Sequence, residues 1–165
     1  MLAAATNGGE VMAEAFAGTG RLSLERSAEI GAAPAAVWAR VGRFGDMAWH
    51  PAIHSTENPG GDNVGAVRVL TLGKAGGPTV TEELVEHSEE ARRYAYRILA
   101  VDPAVLPVVN YVSEVSVIAA ASDGSLLRWR SSFDPAPGVA DAAAIETMTG
   151  VYTAGLEAAK RALEG

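Results

Sequence analysis

The sequence predicts one α+β domain in which a curved antiparallel β-sheet wraps around a long C-terminal helix. The chain has 165 residues, the length of one domain. Between residues 22 and 133 most segments alternate apolar and polar residues, the period of half-buried strands, whereas residues 139–163 show a helical period. Short loops join successive strands, which favours antiparallel hairpins.

The first elements are a strand and two short helices. Apolar and polar residues alternate over Leu22–Ile30, which predicts the strand. Pro34 suits the first turn of a helix, and apolar residues at helical spacing extend that helix over Pro34–Arg43. A second helical turn is expected over Asp46–Ile53, since Pro51 is tolerated only near the start of a helix.

The rest of the chain reads as a strand meander followed by the long helix. Further strands are predicted at Gly65–Leu72, Thr79–His87, Arg92–Ala100, Val109–Ala120 and Ser125–Phe133. Two prolines then close the sheet, and the helix is expected over Val139–Leu163. Its apolar stripe consists of Ile145, Met148, Tyr152, Leu156, Ala159 and Leu163.

Strand pairing predicts which side chains share the inner face of the sheet. A regular hairpin at residues 73–77 places Arg68 opposite Glu82, and the next hairpin places Glu82 near Tyr96. The inner face then carries Ala66, Arg68, Leu70, Val80, Glu82, Leu84, Tyr94, Tyr96 and Ile98. In the last hairpin we expect Glu114, Arg128 and Arg130 to face solvent.

The predicted row of Arg68, Glu82 and Tyr96 is the most informative pattern in the sequence. Burying these groups is costly unless they satisfy one another or face a wet cavity. Arg68 and Glu82 either form an ion pair that only holds the sheet together, or anchor a ligand in a cavity. A register error of one residue would place both charges outside the sheet.

Several short motifs occur in a characteristic order. They are Trp38 with Phe44-Gly45-Asp46 and Trp49-His50-Pro51, Gly65-x-x-Arg68, Glu82-x-Leu84, Tyr94-x-Tyr96, Trp129 with Phe133, and Tyr152-x-x-Gly155-Leu156. Over roughly Leu22 to Leu163 this order resembles the polyketide cyclase/dehydrase branch of the START-like superfamily, also called SRPBCC. The resemblance implies the helix-grip fold, with a seven-stranded antiparallel sheet, two short helices after the first strand and a C-terminal helix across the concave side. Members of this family include carriers of lipids, sterols or hormones and aromatase/cyclases, so the resemblance implies a function of one of these kinds without selecting one chemistry.

The main functional hypothesis is binding of a hydrophobic small molecule, such as a lipid, a polyketide or an aromatic or isoprenoid-like compound, in an internal cavity. The expected ligand-binding residues are Trp49, Arg68, Leu70, Glu82, Leu84, Tyr94, Tyr96, Tyr111, Trp129, Met148 and Tyr152. The alternative is a metal-free cyclase or dehydratase. Its candidate catalytic residues are Glu82, His50 and Tyr96, although Arg68 is expected to lower the pKa of Glu82 and so weaken it as an acid. An interaction domain that pairs with another protein is a third possibility.

Other classes have little support. A net charge of −7 argues against nucleic acid as a partner, and no segment suits a secretory signal or a membrane span. His50 and His54 lack a third metal ligand, and the sequence contains neither G-x-S-x-G nor G-x-G-x-x-G, so we expect no metal and no cofactor. The absence of cysteine fits a cytoplasmic location. Residues 1–20 are expected to form a flexible extension, residues 21–165 the domain, and the protein a monomer or homodimer.

Overall fold

A computed structural model describes residues 18–165, so residues 1–17 of the expected N-terminal extension lie outside the described residues. Its elements are β1 (Leu22–Ile30), α1 (Pro34–Val41), β2 (Ile53–Glu57), β3 (Val67–Leu72), β4 (Thr79–Ser88), β5 (Arg93–Val101), β6 (Val108–Ala119), a 3₁₀ turn (Ala121–Asp123), β7 (Ser125–Pro135) and α2 (Asp141–Glu164). The predicted α+β helix-grip fold is confirmed. None of the helices within residues 18–165 combines the length and the apolar character needed to cross a bilayer.

The seven strands form one sheet in the order β1-β7-β6-β5-β4-β3-β2, and every neighbouring pair is antiparallel. The long helix α2 lies against β1 and β7. It buries Ala144, Met148, Tyr152, Gly155, Leu156 and Ala159. The core therefore lies between α2 and the inner face of the sheet.

The segment after α1 differs from the prediction. The second helical turn expected over Asp46–Ile53 is a series of turns, in which the His50 amide donates to the Met47 carbonyl at 3.0 Å and the Ile53 amide donates to the His50 carbonyl at 3.2 Å. The chain then extends at Ile53 and pairs with β3, forming a strand that the sequence did not predict. Pro51 lacks an amide hydrogen and so suits this change from turn to strand.

The register of the central meander is correct for one hairpin and displaced for the next. Arg68 lies opposite Glu82, as predicted. Glu82, however, lies opposite Ile98, and Leu84 takes the place opposite Tyr96. At the turn, Ser88 lies opposite Arg93, which is three residues from the predicted register, and the irregularity at Leu84/Glu86 shifts the pairing back by one, so Glu82 and Leu84 are displaced by two residues. Because the period of side-chain direction is also two, the same residues still face inward.

The outer face of the last hairpin is more enclosed than expected. Glu114 was predicted to face solvent, but it is completely buried. Arg130 donates from Nε to Glu114 Oε1 at 3.1 Å, and the Nη2 atom of Arg128 lies 3.5 Å from the same oxygen. The long arginine side chains therefore shield this carboxylate while their charges compensate it.

Candidate functional site

An internal cavity of about 80 Å³ lies between the inner face of the sheet and α2. Its wall is mostly apolar and contains Met47, Ala52, Ile53, Leu70, Leu72, Val80, Ile98, Leu106, Trp129, Met148 and Val151. Its polar members are His50, Arg68, Glu82, Tyr96 and Tyr111. We call the lining residues that also reach solvent the mouth: Ala52, Ile53, Leu72, Ile98, Leu106 and Val151.

The structure brings most of the predicted ligand-binding residues into this wall. They are Arg68, Leu70, Glu82, Tyr96, Tyr111, Trp129 and Met148, and the candidate catalyst His50 also lines the cavity. Trp49, Leu84, Tyr94 and Tyr152 are buried but lie behind the wall. For example, Tyr152 stacks on Trp129 with ring centroids 4.2 Å apart, so it supports the cavity from the helix side.

Arg68 and Glu82 form a buried ion pair in the wall of the cavity. Arg68 Nε donates to Glu82 Oε1 at 2.8 Å, and Arg68 Nη2 lies 2.8 Å from the same oxygen. Arg68 Nη1 donates to the Phe44 carbonyl, also at 2.8 Å. The guanidinium carbon lies 4.1 Å from the centroid of the Phe44 ring and 4.8 Å from that of Tyr96. The cation is therefore held by one carboxylate oxygen, one carbonyl and two aromatic faces.

The electrostatics of Glu82 differ from the sequence expectation. Burial raises the pKa of Glu82, and the charge of Arg68 together with its hydrogen bond opposes that rise without cancelling it. The sequence had predicted a lowered pKa from the charge of Arg68, but the effect of burial on the carboxylate is larger. An unpaired guanidinium inside this aromatic box would be unfavourable, which favours the ionised form of Glu82 beside Arg68.

His50 connects the turn after α1 to α2. Its Nε2 donates to the Val151 carbonyl at 2.8 Å, and its Nδ1 accepts from the Ala52 amide at 3.1 Å. Both ring nitrogens are thus engaged in the neutral form, and burial lowers the pKa of His50. The close contact between the His50 ring and α2 requires glycine at position 155. A Cβ atom there would lie 2.6 Å from His50 Cδ2 and 3.0 Å from Trp129 Cζ3. The sequence singled out Gly155 only as part of the motif around Tyr152.

A directed chain of hydroxyl groups lies behind the wall. Ser113 donates to the Arg130 carbonyl at 3.0 Å, so the Tyr152 hydroxyl, 3.3 Å away, is the donor to Ser113. Tyr111 must then donate its proton to Tyr152 in their short contact. Burial raises the pKa of Tyr111 well above its usual value and that of Tyr152 to about 12, so both keep their protons at neutral pH.

Tyr96 occupies a different position in this arrangement. Its hydroxyl accepts a hydrogen bond from Trp129 Nε1 at 3.1 Å, while the same indole also donates to Ser113 at 2.9 Å. No described residue accepts the Tyr96 proton in a hydrogen bond. Burial raises the pKa of Tyr96 well above its usual value, and Glu82 raises it further. Tyr96 therefore keeps its hydroxyl proton at neutral pH and can donate it in a hydrogen bond.

A group of possible metal ligands lies away from the cavity. Oxygen or nitrogen atoms of Asp62, His87 and Glu89 lie within 4.8 Å of one another. Each of these residues already has a structural partner. Asp62 accepts from the Phe44 amide, Glu89 accepts from the Trp38 indole, and His87 Nε2 donates to the Gly42 carbonyl. These bonds account for the cluster without an ion.

Comparison with known proteins gives a family and a set of similar folds. Residues 21–164 match the family model described as polyketide cyclase/dehydrase and lipid transport. The protein XoxI from Bacillus cereus is 32% identical, with 86% of this chain and 94% of that chain covered and a TM-score of 0.76. An uncharacterised protein from Bacillus thuringiensis has the same identity and TM-score, with 86% and 98% covered. A Nitrosospira multiformis protein is 26% identical over 86% of this chain and 96% of that chain, with a TM-score of 0.72. No curated protein matches the chain.

Proposed function

Since the chain belongs to the polyketide cyclase/dehydrase and lipid transport family, we propose that it binds a small hydrophobic molecule in the cavity between its sheet and α2. The observation that carries the proposal is the composition of the wall: an apolar lining with a few polar groups, among them the ion pair of Arg68 and Glu82. Small-molecule sites have this composition, because apolar contacts supply affinity and a few polar groups orient the ligand. We also propose a cytoplasmic location, and either a monomer or a homodimer.

The size of the cavity limits what binds without rearrangement. Ligand pockets usually measure about 300–1,000 Å³, and a cavity of about 150 Å³ accepts benzene. At about 80 Å³ the present cavity takes only part of such a molecule. A larger ligand must therefore extend through the mouth or turn half-buried side chains such as Ile53, Leu106 and Val151 outward.

Catalysis has weaker support than binding. His50 has both ring nitrogens engaged by backbone groups, so it is not free to move a proton. The guanidinium of Arg68 is completely buried against Glu82, the Phe44 carbonyl and the rings of Phe44 and Tyr96, which removes it as a group that polarises a substrate carbonyl. Glu82 and Tyr96 remain the candidates for a cyclase or dehydratase reaction.

A pair of tryptophan variants on α2 tests the binding proposal. Val151 lies in the mouth, whereas Thr153 is exposed on the same helix and outside the wall. Val151→Trp should fill the mouth and lower the affinity for toluene by about tenfold or more, a cost of about 1.4 kcal/mol. Thr153→Trp should bind as the original protein does. The affinities are measured from the NMR shifts of the Met47 and Met148 methyl groups, which line the cavity.

The protein should also carry a ligand when freshly purified. Native mass spectrometry is expected to show a co-purifying small molecule that is reduced in Val151→Trp and retained in Thr153→Trp. Equal loss in the two variants, or toluene binding that leaves both methionine methyl signals unmoved, would remove the cavity as the binding site.

A further inference from the structure

We propose, on the basis of the proposed binding function, that the ligand carries a neutral hydroxyl group which donates a hydrogen bond to Glu82 Oε2. The two oxygens of this carboxylate have unequal roles. Oε1 faces both Nε and Nη2 of Arg68, each at 2.8 Å. No described residue donates a hydrogen bond to Oε2. This oxygen is also not one of the polar atoms that are both fully buried and without a partner, so part of its surface is accessible. Glu82 lines the cavity and keeps 6% of its side chain accessible.

The donors of Arg68 do not compete for this role. Arg68 is 0% exposed and covered by the rings of Phe44 and Tyr96. Its Nε and Nη1 atoms donate to Glu82 and to the Phe44 carbonyl. Its Nη2 atom lacks a hydrogen bond of good geometry but is itself fully buried. Both residues line the cavity, but the accessible part of the pair belongs to the carboxylate, because the Arg68 side chain is 0% exposed.

The other polar groups of the wall fit the same ligand. His50 has no free ring nitrogen, and Tyr111 gives its proton to Tyr152. Tyr96 keeps a proton that no described residue accepts. A hydroxyl group can donate to Glu82 and accept from Tyr96, whereas a carbonyl group can only accept.

The charge of the pair argues for a neutral ligand. The positive charge of Arg68 lies within hydrogen-bonding distance of the Glu82 carboxylate and compensates it. A cation entering the cavity would lose its hydration and gain little net attraction. A hydroxyl group has a smaller desolvation cost and still meets an ionised acceptor, which is the stronger kind of hydrogen bond.

Four probes of similar size separate these chemistries. Phenol donates, toluene lacks polar groups, benzaldehyde only accepts, and benzylamine is a cation at pH 7. The affinity of each probe is measured from the Met47 and Met148 methyl shifts. Its binding free energy is then compared with the free energy of transfer of the same probe from water to octanol. We expect phenol to exceed the other three by about tenfold on this scale, as for a hydrogen bond to a charged group.

Substitution of the carboxylate provides the control. In Glu82→Gln the amide oxygen replaces Oε1 beside Arg68, and the amide nitrogen replaces Oε2, so phenol should lose its advantage over benzaldehyde, because both can accept from that amide. If that variant does not fold, the double variant Arg68→Met/Glu82→Met removes both charges, and the advantage of phenol over toluene should disappear.

The outcomes separate the two proposals. If toluene binds at the cavity but phenol shows no advantage, the hydroxyl assignment is wrong and the cavity remains a binding site. If benzylamine binds best, the site recognises a cation and the assignment is also wrong. If none of the probes moves the cavity methyl signals, the binding function fails and the hydroxyl assignment fails with it.

Discussion

His50 is a buried histidine whose neutral form is required by its two hydrogen bonds. Its Nδ1 must remain unprotonated to accept from the Ala52 amide, and burial lowers the pKa of the ring. The unfolded chain takes up a proton near pH 6.5, whereas the folded protein takes it up only at lower pH. The free energy of unfolding should therefore fall as the pH decreases from about 6.5 towards the pKa of the folded state.

The variant His50→Gln isolates this contribution. A glutamine amide can still donate to the Val151 carbonyl but does not titrate, so the variant should be less stable at pH 7.5 and should lose part of the decline on acidification. The measurement is the difference in unfolding free energy between the two proteins, from urea denaturation at pH 7.5 and 5.5. His54→Gln, a change at an exposed position, is the control. If His50→Gln lost as much unfolding free energy on acidification as the wild type does, the assignment of that loss to His50 would be wrong.

Single residues differed in how readily their roles followed from the sequence. The pairing of Arg68 with Glu82 was predictable, because a hairpin with a short loop has few registers and two opposite charges fit one of them. The contact between Tyr111 and Tyr152 was not, since it depends on the rotation of α2 over the sheet. An apolar stripe defines that rotation only to within about one residue.

At the scale of one element, Gly155 allows α2 to approach the sheet closely. A methyl group at this position would meet the His50 ring and Trp129, both buried and held by hydrogen bonds. Gly150 lies in the same helix, is exposed, and has open space where its Cβ would be. The two glycines therefore make a matched pair.

We expect Gly155→Ala to destabilise the protein by about 1–3 kcal/mol through overpacking. Gly150→Ala should stabilise it by about 0.5–1 kcal/mol, because alanine loses less backbone entropy in a helix. Thermal and urea unfolding of both variants would measure these changes. If Gly155→Ala gained stability as Gly150→Ala does, the close approach of His50 and Trp129 to the helix would be wrong.

The strands show why face and register are not equally predictable. Alternation along β4 and β5 correctly indicated which side chains point inward, because that information is local to each strand. The partner of Glu82 was wrong by two residues, because neither the register at the turn, where Ser88 lies opposite Arg93, nor the irregularity at Leu84/Glu86 leaves a clear mark in the composition. The strand β2 was missed for a similar reason, since Ile53–Glu57 lacks an alternating apolar pattern.

For the whole molecule, Arg68 connects segments that are distant in sequence. It lies on β3, pairs with Glu82 on β4, and donates to the carbonyl of Phe44 in the turn after α1. The last contact spans 24 residues and joins this turn to the sheet beside the cavity. Loss of the guanidinium should therefore affect both the core and the position of this turn.

The stability of the fold should show strong coupling between Arg68 and Glu82. Arg68→Met alone leaves a buried carboxylate unpaired, which costs about 3–5 kcal/mol. In Arg68→Met/Glu82→Met that penalty disappears and mainly the unpaired Phe44 carbonyl remains, at about 1–3 kcal/mol. The double variant should therefore be more stable than Arg68→Met, as measured by guanidinium denaturation.

The matched control is the outer-face pair Arg97 and Glu83, joined at 2.8 Å but with 52% of the arginine side chain exposed, where the coupling should be below about 1 kcal/mol. Additive effects of the two substitutions at the buried pair would mean that the ion pair does not link β3 to β4.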